Sequence, residues 1–453
     1  MKKEIIFAYE RMYEDEYGKI HFLPNGELRY LQMSGFTFEA QFDFLQLTDI
    51  LEYEGFVIKR MRVEDAIRTG RKFIIPIEGI ADPQYWLGLK NSKYGRELFS
   101  FFKKSTIKTI QNGQANVLLY CREGICGCSY EELILNIYNN CDKYKVPRES
   151  VYYVSGDLSL ESKYSDYVSG YRRKVKFYPV PHFLYLTRAM YSRSKDNPDF
   201  LPQISDLDKL DRKYNFLCLN KLPRSHRYFF VFQLWNMFKS NSLISMPTDK
   251  INPDLEYVLG VSDWRDDLDN LYENFEHVLG YGVSELNEME RKFKENLPLT
   301  LDVYNDPEKI KFEIANFSYV SNSWVYNNSY FSVVTETTAY GPQVFITEKT
   351  FKTFPSLHPC IVFGCPQTMK YLKKLGFKTF SPYINEDYDE ERNVVKKMKM
   401  IFDEINRLCS SSELLQKTFT NLKEILIYNY NHFWNHDCPL NKIIEEMVSN
   451  GPS

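Results

Sequence analysis

No apolar run in this sequence approaches the roughly 18 residues that a membrane-crossing helix requires. The longest candidate, Tyr228–Phe238, is interrupted by Gln233 and Asn236 and reads as a core helix. The opening MKKEIIFAYE is too short and too charged for a signal peptide and reads as a first strand. A cytoplasmic protein without membrane contact is therefore expected, and the sequons at Asn316 and Asn327 carry little weight. An excess of charge is missing too. Lys and Arg total 57 and Asp and Glu 60, a net charge of −3, which gives no chain-wide signal for nucleic acid. Nine cysteines, an odd number spread from Cys121 to Cys438, make no dense disulfide framework and fit a reducing compartment. Cys121, Cys126 and Cys128 cluster in CREGICGC, but a zinc site wants four ligands and only distant Cys141 follows. There is no internal repeat and no low-complexity segment.

What the chain does have is alternation. Its 453 residues are enough for two domains with separate cores. Glu4–Tyr9, Phe56–Lys59, Lys72–Ile77, Asn116–Cys121 and Val151–Val154 are β-rich, with helical patterns such as Tyr130–Tyr144 between several of them. Lys174–His182 is extended and closes this half. The polar stretch Ser194–Lys213, with Pro198 and Pro202, reads as a linker, so domains of 1–205 and 206–453 are expected. The second half restarts with strands at Asn215–Leu219, Leu243–Met246, Phe331–Thr335, Ile361–Phe363 and Phe377–Thr379. A helix is expected over Arg227–Lys239, a charged insertion over Asp263–Glu290, and one or two amphipathic helices over Lys396–Leu426. The fold class is α/β, with parallel sheets in two Rossmann-like halves and a cleft at the strand ends.

Two strand-to-helix turns in the second half carry chemistry. In Tyr330–Gly364 a buried strand is followed by a polar loop, a Thr-Glu-Lys helix start and a second buried strand. Thr347 is a good N-cap with Glu348 just inside, and the N–H groups of such a start suit an anion, with Lys349 adding a charge. Phe345 can stack on a nucleotide base, Glu348 can take ribose hydroxyls, and Lys349 phosphate. In Phe216–Phe230 a strand ends at Asn220, and Lys221, Arg224, His226 and Arg227 precede a helix, an arrangement suited to pyrophosphate. In the first half, Glu123 lies just past the strand Asn116–Cys121, where a general base would face the cleft; Glu78, which also ends a strand, is its rival. His358, before Pro359, reads equally as a structural residue or a ligand contact. His432 and His436 lack the Glu of a hydrolytic zinc helix and read as packing.

The segment from Glu336 through Phe345, Ile346, Thr347, Glu348 and Lys349 to Pro359 and Gly364 resembles the C-terminal signature of the α1,3-fucosyltransferases. Thr337 and Phe345 depart from it, standing where Asn and Tyr are usual. The resemblance covers roughly Phe216–Thr379. It matches Arg227 best, with Arg224 as the alternative, to the family's phosphate-binding Arg, and Glu123 to its catalytic Glu. The Cys-Leu-Asn turn and the Ile-Thr-Glu-Lys segment also look similar to glycosyltransferase-like proteins of bacteriophages and large viruses, which would put the chain in a host cytoplasm.

The resemblance implies a GT-B arrangement, two Rossmann-like domains facing a central cleft, and an inverting glycosyltransferase that uses a nucleoside-diphosphate sugar as co-substrate. The donor would be held by Arg227, Arg224, Phe345, Thr347, Glu348, Lys349, Glu336 and Asn220. No cofactor is expected. Asp-x-Asp pairs, by which some glycosyltransferases hold Mn²⁺, occur at Asp206/Asp208, Asp267/Asp269 and Asp387/Asp389 in acidic, loop-like contexts, and metal independence is expected. The acceptor is a glycan by resemblance, or a hydroxymethylated base in DNA approached through Phe102–Lys108 and Arg172–Lys176. A sugar-nucleotide-binding module without catalysis is the remaining alternative.

Overall fold

The computed structural model describes residues 3–14, 20–23, 44–78, 98–122 without 101, 130–170, 174–192, 195–246 without 196 and 222, 280–299, and 322–449 without 340 and 342. The α/β class expected from the alternation is present. Two compact units are each built on a parallel sheet. The first holds Met1–Leu186 and Asp437–Ser453, and the second Thr187–Tyr257 and Val261–His436.

The first unit runs β1 (Lys3–Tyr9), β2 (Arg11–Glu14), β3 (Ile20–Leu23), α1 (Phe44–Tyr53), β4 (Phe56–Arg62), α2 (Val63–Arg68), β5 (Phe73–Glu78), α3 (Lys104–Gln111), β6 (Ala115–Cys121), α4 (Tyr130–Tyr144), β7 (Val151–Ser155), α5 (Leu160–Val168) and β8 (Lys176–Pro179), then enters α6 (His182–Ser192). Its sheet is ordered β4-β1-β5-β6-β7-β8 with all pairs parallel. Every residue of β6 and β7 is buried, which explains their near-continuous apolar sequence: both faces are covered. The extended stretch 174–182 yields only the short β8, because α6 starts at His182.

The second unit contains β9 (Tyr214–Cys218), α7 (Ser225–Phe238), β10 (Ser242–Ile244), α8 (Val283–Glu295), α9 (Ser323–Asn327), β11 (Ser329–Thr335), α10 (Glu348–Phe351), β12 (Cys360–Phe363), α11 (Thr368–Lys374), α12 (Val394–Leu408) and α13 (Ser412–Asn435). Its sheet is ordered β10-β9-β11-β12, again all parallel. Helix α7 is buried continuously from Ser225 to Trp235, so its apolar residues encircle it instead of forming one stripe. The Phe230 ring stacks on Phe363 and Phe402, with centroids 4.7 and 4.9 Å away. That packing fixes the start of α7 against the end of β12.

Two expectations need correcting. Phe377–Thr379 is not a strand. The Lys378 N–H donates to Asn429 Oδ1 at 2.8 Å, and Asn429 Nδ2 donates to the Lys378 carbonyl at 2.7 Å. A buried side-chain amide thus takes the place of a neighbouring strand. The stretch 194–213 is docked, at least at its end. Arg212 is buried, donates to the Tyr326 and Ser329 carbonyls, and lies 4.1 Å from the centroid of the Phe419 ring. The first compact unit runs to Leu186 and the second begins at Thr187. Of the expected insertion, 263–279 lies outside the described residues, and the rest leads into α8.

A last helix, α14 (Pro439–Ser449), belongs to the first unit, although composition groups it with the second. Glu446 accepts from Lys176 and from Tyr178 Oη at 3.0 Å, and Asn116 Nδ2 donates to the Met447 carbonyl at 2.5 Å. Strands β6 and β8 therefore both hold this helix.

Candidate functional site

In the second sheet the chain leaves β9 toward β10 on one side and returns through β11 and β12 on the other. The point where the winding reverses lies between β9 and β11, and ligands of open parallel sheets bind outside the strand ends there. The two turns singled out in the sequence are the ones that leave these strands, after Cys218 and after Thr335.

Glu336 ties the turns together. It is fully buried, and its carboxylate accepts four hydrogen bonds: from Thr347 N at 3.0 Å and Thr350 Oγ1 at 2.5 Å on Oε1, and from Thr347 Oγ1 at 2.6 Å and Thr337 N at 3.2 Å on Oε2. Its carbonyl accepts from Arg227 at 3.1 Å and from His226 Nε2 at 3.2 Å. The Glu336 carboxylate thus spends these acceptor sites on its own turn. Gly364 permits this. A Cβ there would lie 3.1 and 3.3 Å from Glu336 Cγ and Cβ and 3.3 Å from Thr368 Oγ1. Gly364→Ala is expected to cost about 1–3 kcal/mol of stability through overpacking, read as a lower urea midpoint at unchanged m-value. A wild-type midpoint would show that the close approach is not a constraint.

Asn220 has a similar internal role. Its Oδ1 accepts from Thr335 Oγ1 at 2.5 Å, its N–H donates to Ser245 Oγ at 2.9 Å, and its Nδ2 reaches Cys218 Sγ at 3.3 Å. It pins the ends of β9, β10 and β11 to one another. Phe345 is 1% exposed and lies in the interior, so its ring presents no open face for a base.

The Thr-Glu-Lys helix start exists, with Thr347 Oγ1 accepting from Lys349 N at 3.3 Å, but the helix is a single turn. Its dipole is small, and the Thr347 and Lys349 N–H groups expected to hold an anion are bonded to Glu336 and Thr347. Side-chain cations remain. Lys349 Nζ pairs with Glu348 at 2.7 Å and lies 3.3 and 3.4 Å from the hydroxyls of Thr347 and Thr337. Burial alone would raise the Glu348 pKa, but Lys349 and Lys352 hold it below the usual carboxylate range.

At the other turn, α7 has Arg224 as its N-cap residue. A guanidinium has no acceptor to offer the helix N–H groups, and it adds positive charge to the positive end of the dipole. Arg227 stands within the first turn, 3% exposed; burial, then Arg224, push its pKa down to about 10, against the pull of Glu336 and Glu348. It stays charged at neutral pH. His226 does not supply a third cation. Burial, with Arg227 beside it, lowers its pKa to about 3, so the ring is neutral. His358 is structural: its ring nitrogens engage Ser332 Oγ at 2.7 Å and the Ser329 carbonyl at 2.9 Å, and burial lowers its pKa to about 3.

Arg227 thus bonds the Glu336 carbonyl, and Lys349 Nζ lies 3.4 Å from the hydroxyl of Thr337, the next residue. Reasoning from sequence missed Lys352. It lies one helical turn beyond Glu348, is over nine-tenths buried, and lines a cavity of about 20 Å³ with Lys349, Leu217, Leu219 and Tyr326. The only sequence signal is a second Lys three residues after the first.

In the first unit, Glu123 lies outside the described residues, just beyond the buried Arg122 that follows β6. Glu78 ends β5, opposite Tyr120, and β5 flanks the reversal point of that sheet, between β1 and β5. The Tyr120 hydroxyl meets His182 Nδ1, and burial with Arg122 nearby keeps that imidazole neutral.

Among the described residues no group of three or more His, Cys, Asp or Glu is arranged to hold a metal ion. Asp206 accepts from Gln203 N and pairs with Lys209, Asp208 pairs with Lys423, and Asp389 accepts from the Met369 and Lys370 N–H groups. Asp267, Asp269, Cys126 and Cys128 lie outside the described residues. His432 Nε2 contacts the Leu375 carbonyl at 2.7 Å. No described helix is long and apolar enough to cross a membrane.

No family model matches the sequence, and no curated protein matches it. Solved structures similar to it in fold include the trehalose-6-phosphate synthase OtsA, at 10% identity and a TM-score of 0.43 over 98% of this chain and 89% of that one. A UDP-forming α,α-trehalose-phosphate synthase from Burkholderia xenovorans is similar at 9% identity and a TM-score of 0.42, over 98% and 91%. An α1,3-fucosyltransferase solved with GDP is similar at 11% identity and a TM-score of 0.37, over 96% and 91%. At that level of likeness no residue role transfers.

Proposed function

We propose that the chain is a metal-independent, inverting glycosyltransferase of GT-B arrangement that takes its sugar from a nucleoside diphosphate. One observation carries this reading. Two guanidiniums, one at the N-cap of α7 and one buried in its first turn, and the Lys349 ammonium are brought to the same end of the sheet at its reversal point. Arg227 and Lys349 stand beside Glu336 and Glu348, and Glu336 already accepts four hydrogen bonds from its own turn. Placing like charges together at a helix start breaks a local rule of stability, which is the mark of a site shaped for a ligand. An anion with several acceptor oxygens suits such a cluster of cations, and a diphosphate spans two turns.

In this reading Arg227, Arg224 and Lys349 hold the diphosphate and stabilise the negative charge that grows on it as the glycosidic bond breaks. Glu348 takes a ribose hydroxyl. The acceptor oxygen bonds to the anomeric carbon from the opposite face, the carbon–phosphate oxygen bond breaks, and Glu123 (Glu78 being the alternative) receives the acceptor proton. A glycan is the favoured acceptor, because Lys103 in the basic segment 102–108 is engaged by Glu64, leaving that segment less suited to DNA.

The decisive experiment is a thermal-shift series with UDP, GDP, ADP, CDP and dTDP. One of them, at 100 times its Kd, should add about 2.7 kcal/mol to stability, and its sugar conjugates then become the donor panel. Absence of stabilisation by every nucleoside diphosphate would sink the proposal.

A further inference from the structure

Lys352 is the one strongly buried cation at this corner for which the reading above has no use. Among the described residues its ammonium finds no hydrogen-bond or ion-pair partner; only its backbone is bonded, from its N–H to the Glu348 carbonyl at 2.9 Å. A buried ammonium left without partners is costly. The charged groups that face it are Glu348 and Lys349 on its own turn and Glu336 after β11; Tyr326 of α9 also lines the small cavity. Leu217 of β9, Leu219 just after it, and Ser332, Val333 and Val334 of β11 complete that side of the lining, and the neutral His358 stands behind Ser332. Burial therefore dominates and lowers the Lys352 pKa to about 8, with Glu348 opposing and Lys349 assisting.

We infer that Lys352 is a proton-coupled anion-binding residue of the donor site: an anion seated on Arg227 and Lys349 draws a proton from solvent onto Lys352 and is released more easily as the solution becomes alkaline. The inference rests on the proposed donor site. The sign follows from linkage. Below pH about 8 Lys352 is already protonated, so binding takes up no proton and affinity is flat. Above it, free protein carries the neutral amine while the complex carries the ammonium, so each binding event consumes a proton and affinity falls with rising pH. The window from pH 7.5 to 9 is clean, because the terminal phosphate of a nucleoside diphosphate is by then ionised and the guanidiniums remain charged.

The test is titration calorimetry of the full chain with the nucleoside diphosphate that stabilises it, at pH 7.5 and pH 9 in buffers of differing ionisation enthalpy, and with inorganic pyrophosphate at pH 7.5. Wild-type affinity should fall about tenfold between the two pH values, with close to one proton taken up per anion at pH 9. Lys352→Met should bind more weakly at pH 7.5 and show neither the fall nor the uptake. Lys352→Arg, whose charge is permanent and for which the cavity leaves some room, should bind at pH 9 as it does at pH 7.5. Equal pH dependence in the wild type and both variants would overturn the inference and leave the proposed function standing. Failure of the wild type to bind any diphosphate, pyrophosphate included, would overturn the proposed function and this inference with it.

Discussion

Arg227→Met is expected to abolish tight binding of nucleoside diphosphates while leaving the fold as stable as the wild type or more so. Truncating one partner of a desolvated, charged contact costs about 2–5 kcal/mol, or roughly 30- to several-thousand-fold in affinity. The fold itself gains little from the charge. Burial and Arg224 hold the guanidinium pKa near 10 instead of 12.5, a penalty on the order of 3 kcal/mol for keeping it ionised. Methionine fills similar space without that penalty, at the loss of the hydrogen bond to the Glu336 carbonyl. Lys349→Met should behave differently. It too should weaken the diphosphate, but it also strips the buried Glu348 of its 2.7 Å partner and should cost about 1–3 kcal/mol of stability. Paired melting curves and diphosphate titrations separate the two outcomes. If Arg227→Met melts several degrees early and still binds, the guanidinium is part of the scaffold and the donor-site reading fails.

Glu123→Gln should bind the donor as the wild type does and lose about 10²–10⁴-fold in turnover, the usual contribution of a positioned base. Glu78→Gln is the matched control. Glu78 ends β5, and β6, the strand that precedes Glu123 in the sequence, is its parallel neighbour. Whichever variant retains donor binding and loses transfer, or loses hydrolysis of the donor when no acceptor is present, identifies the base. Wild-type turnover in both would remove a carboxylate base from the mechanism.

Most strands of the two parallel sheets were legible as short, locally apolar runs, since a strand covered on both faces needs no partner information to be recognised, whereas β2, with the sequence RMYE, and β3 were not expected. β6 and β11 are of this kind, with every residue buried. The two turns at the reversal point were legible for a related reason: cations beside a helix start are poor core material. The internal partners of each side chain were not legible. Glu336 looks like a ligand contact in sequence, and only the approach of Thr347 and Thr350 shows its carboxylate to be occupied. Phe345 looks like an open ring, and its burial depends on packing remote in sequence. Lys378 sits in a run that reads as a strand, but its pairing is with an amide 51 residues away. Lys352 is ordinary in sequence. Its environment is set by β9, more than 130 residues earlier, closing over the same cavity.

The placement of α14 orders events during synthesis. Residues 437–449 leave the ribosome only after the whole second unit has been made, yet they cover strands of the first. Until then the nascent first unit has Asn116 and Lys176 without their final partners and an apolar flank awaiting Ile443, Ile444 and Met447. The domain made earliest is thus completed last, and the second unit has the opportunity to fold ahead of it.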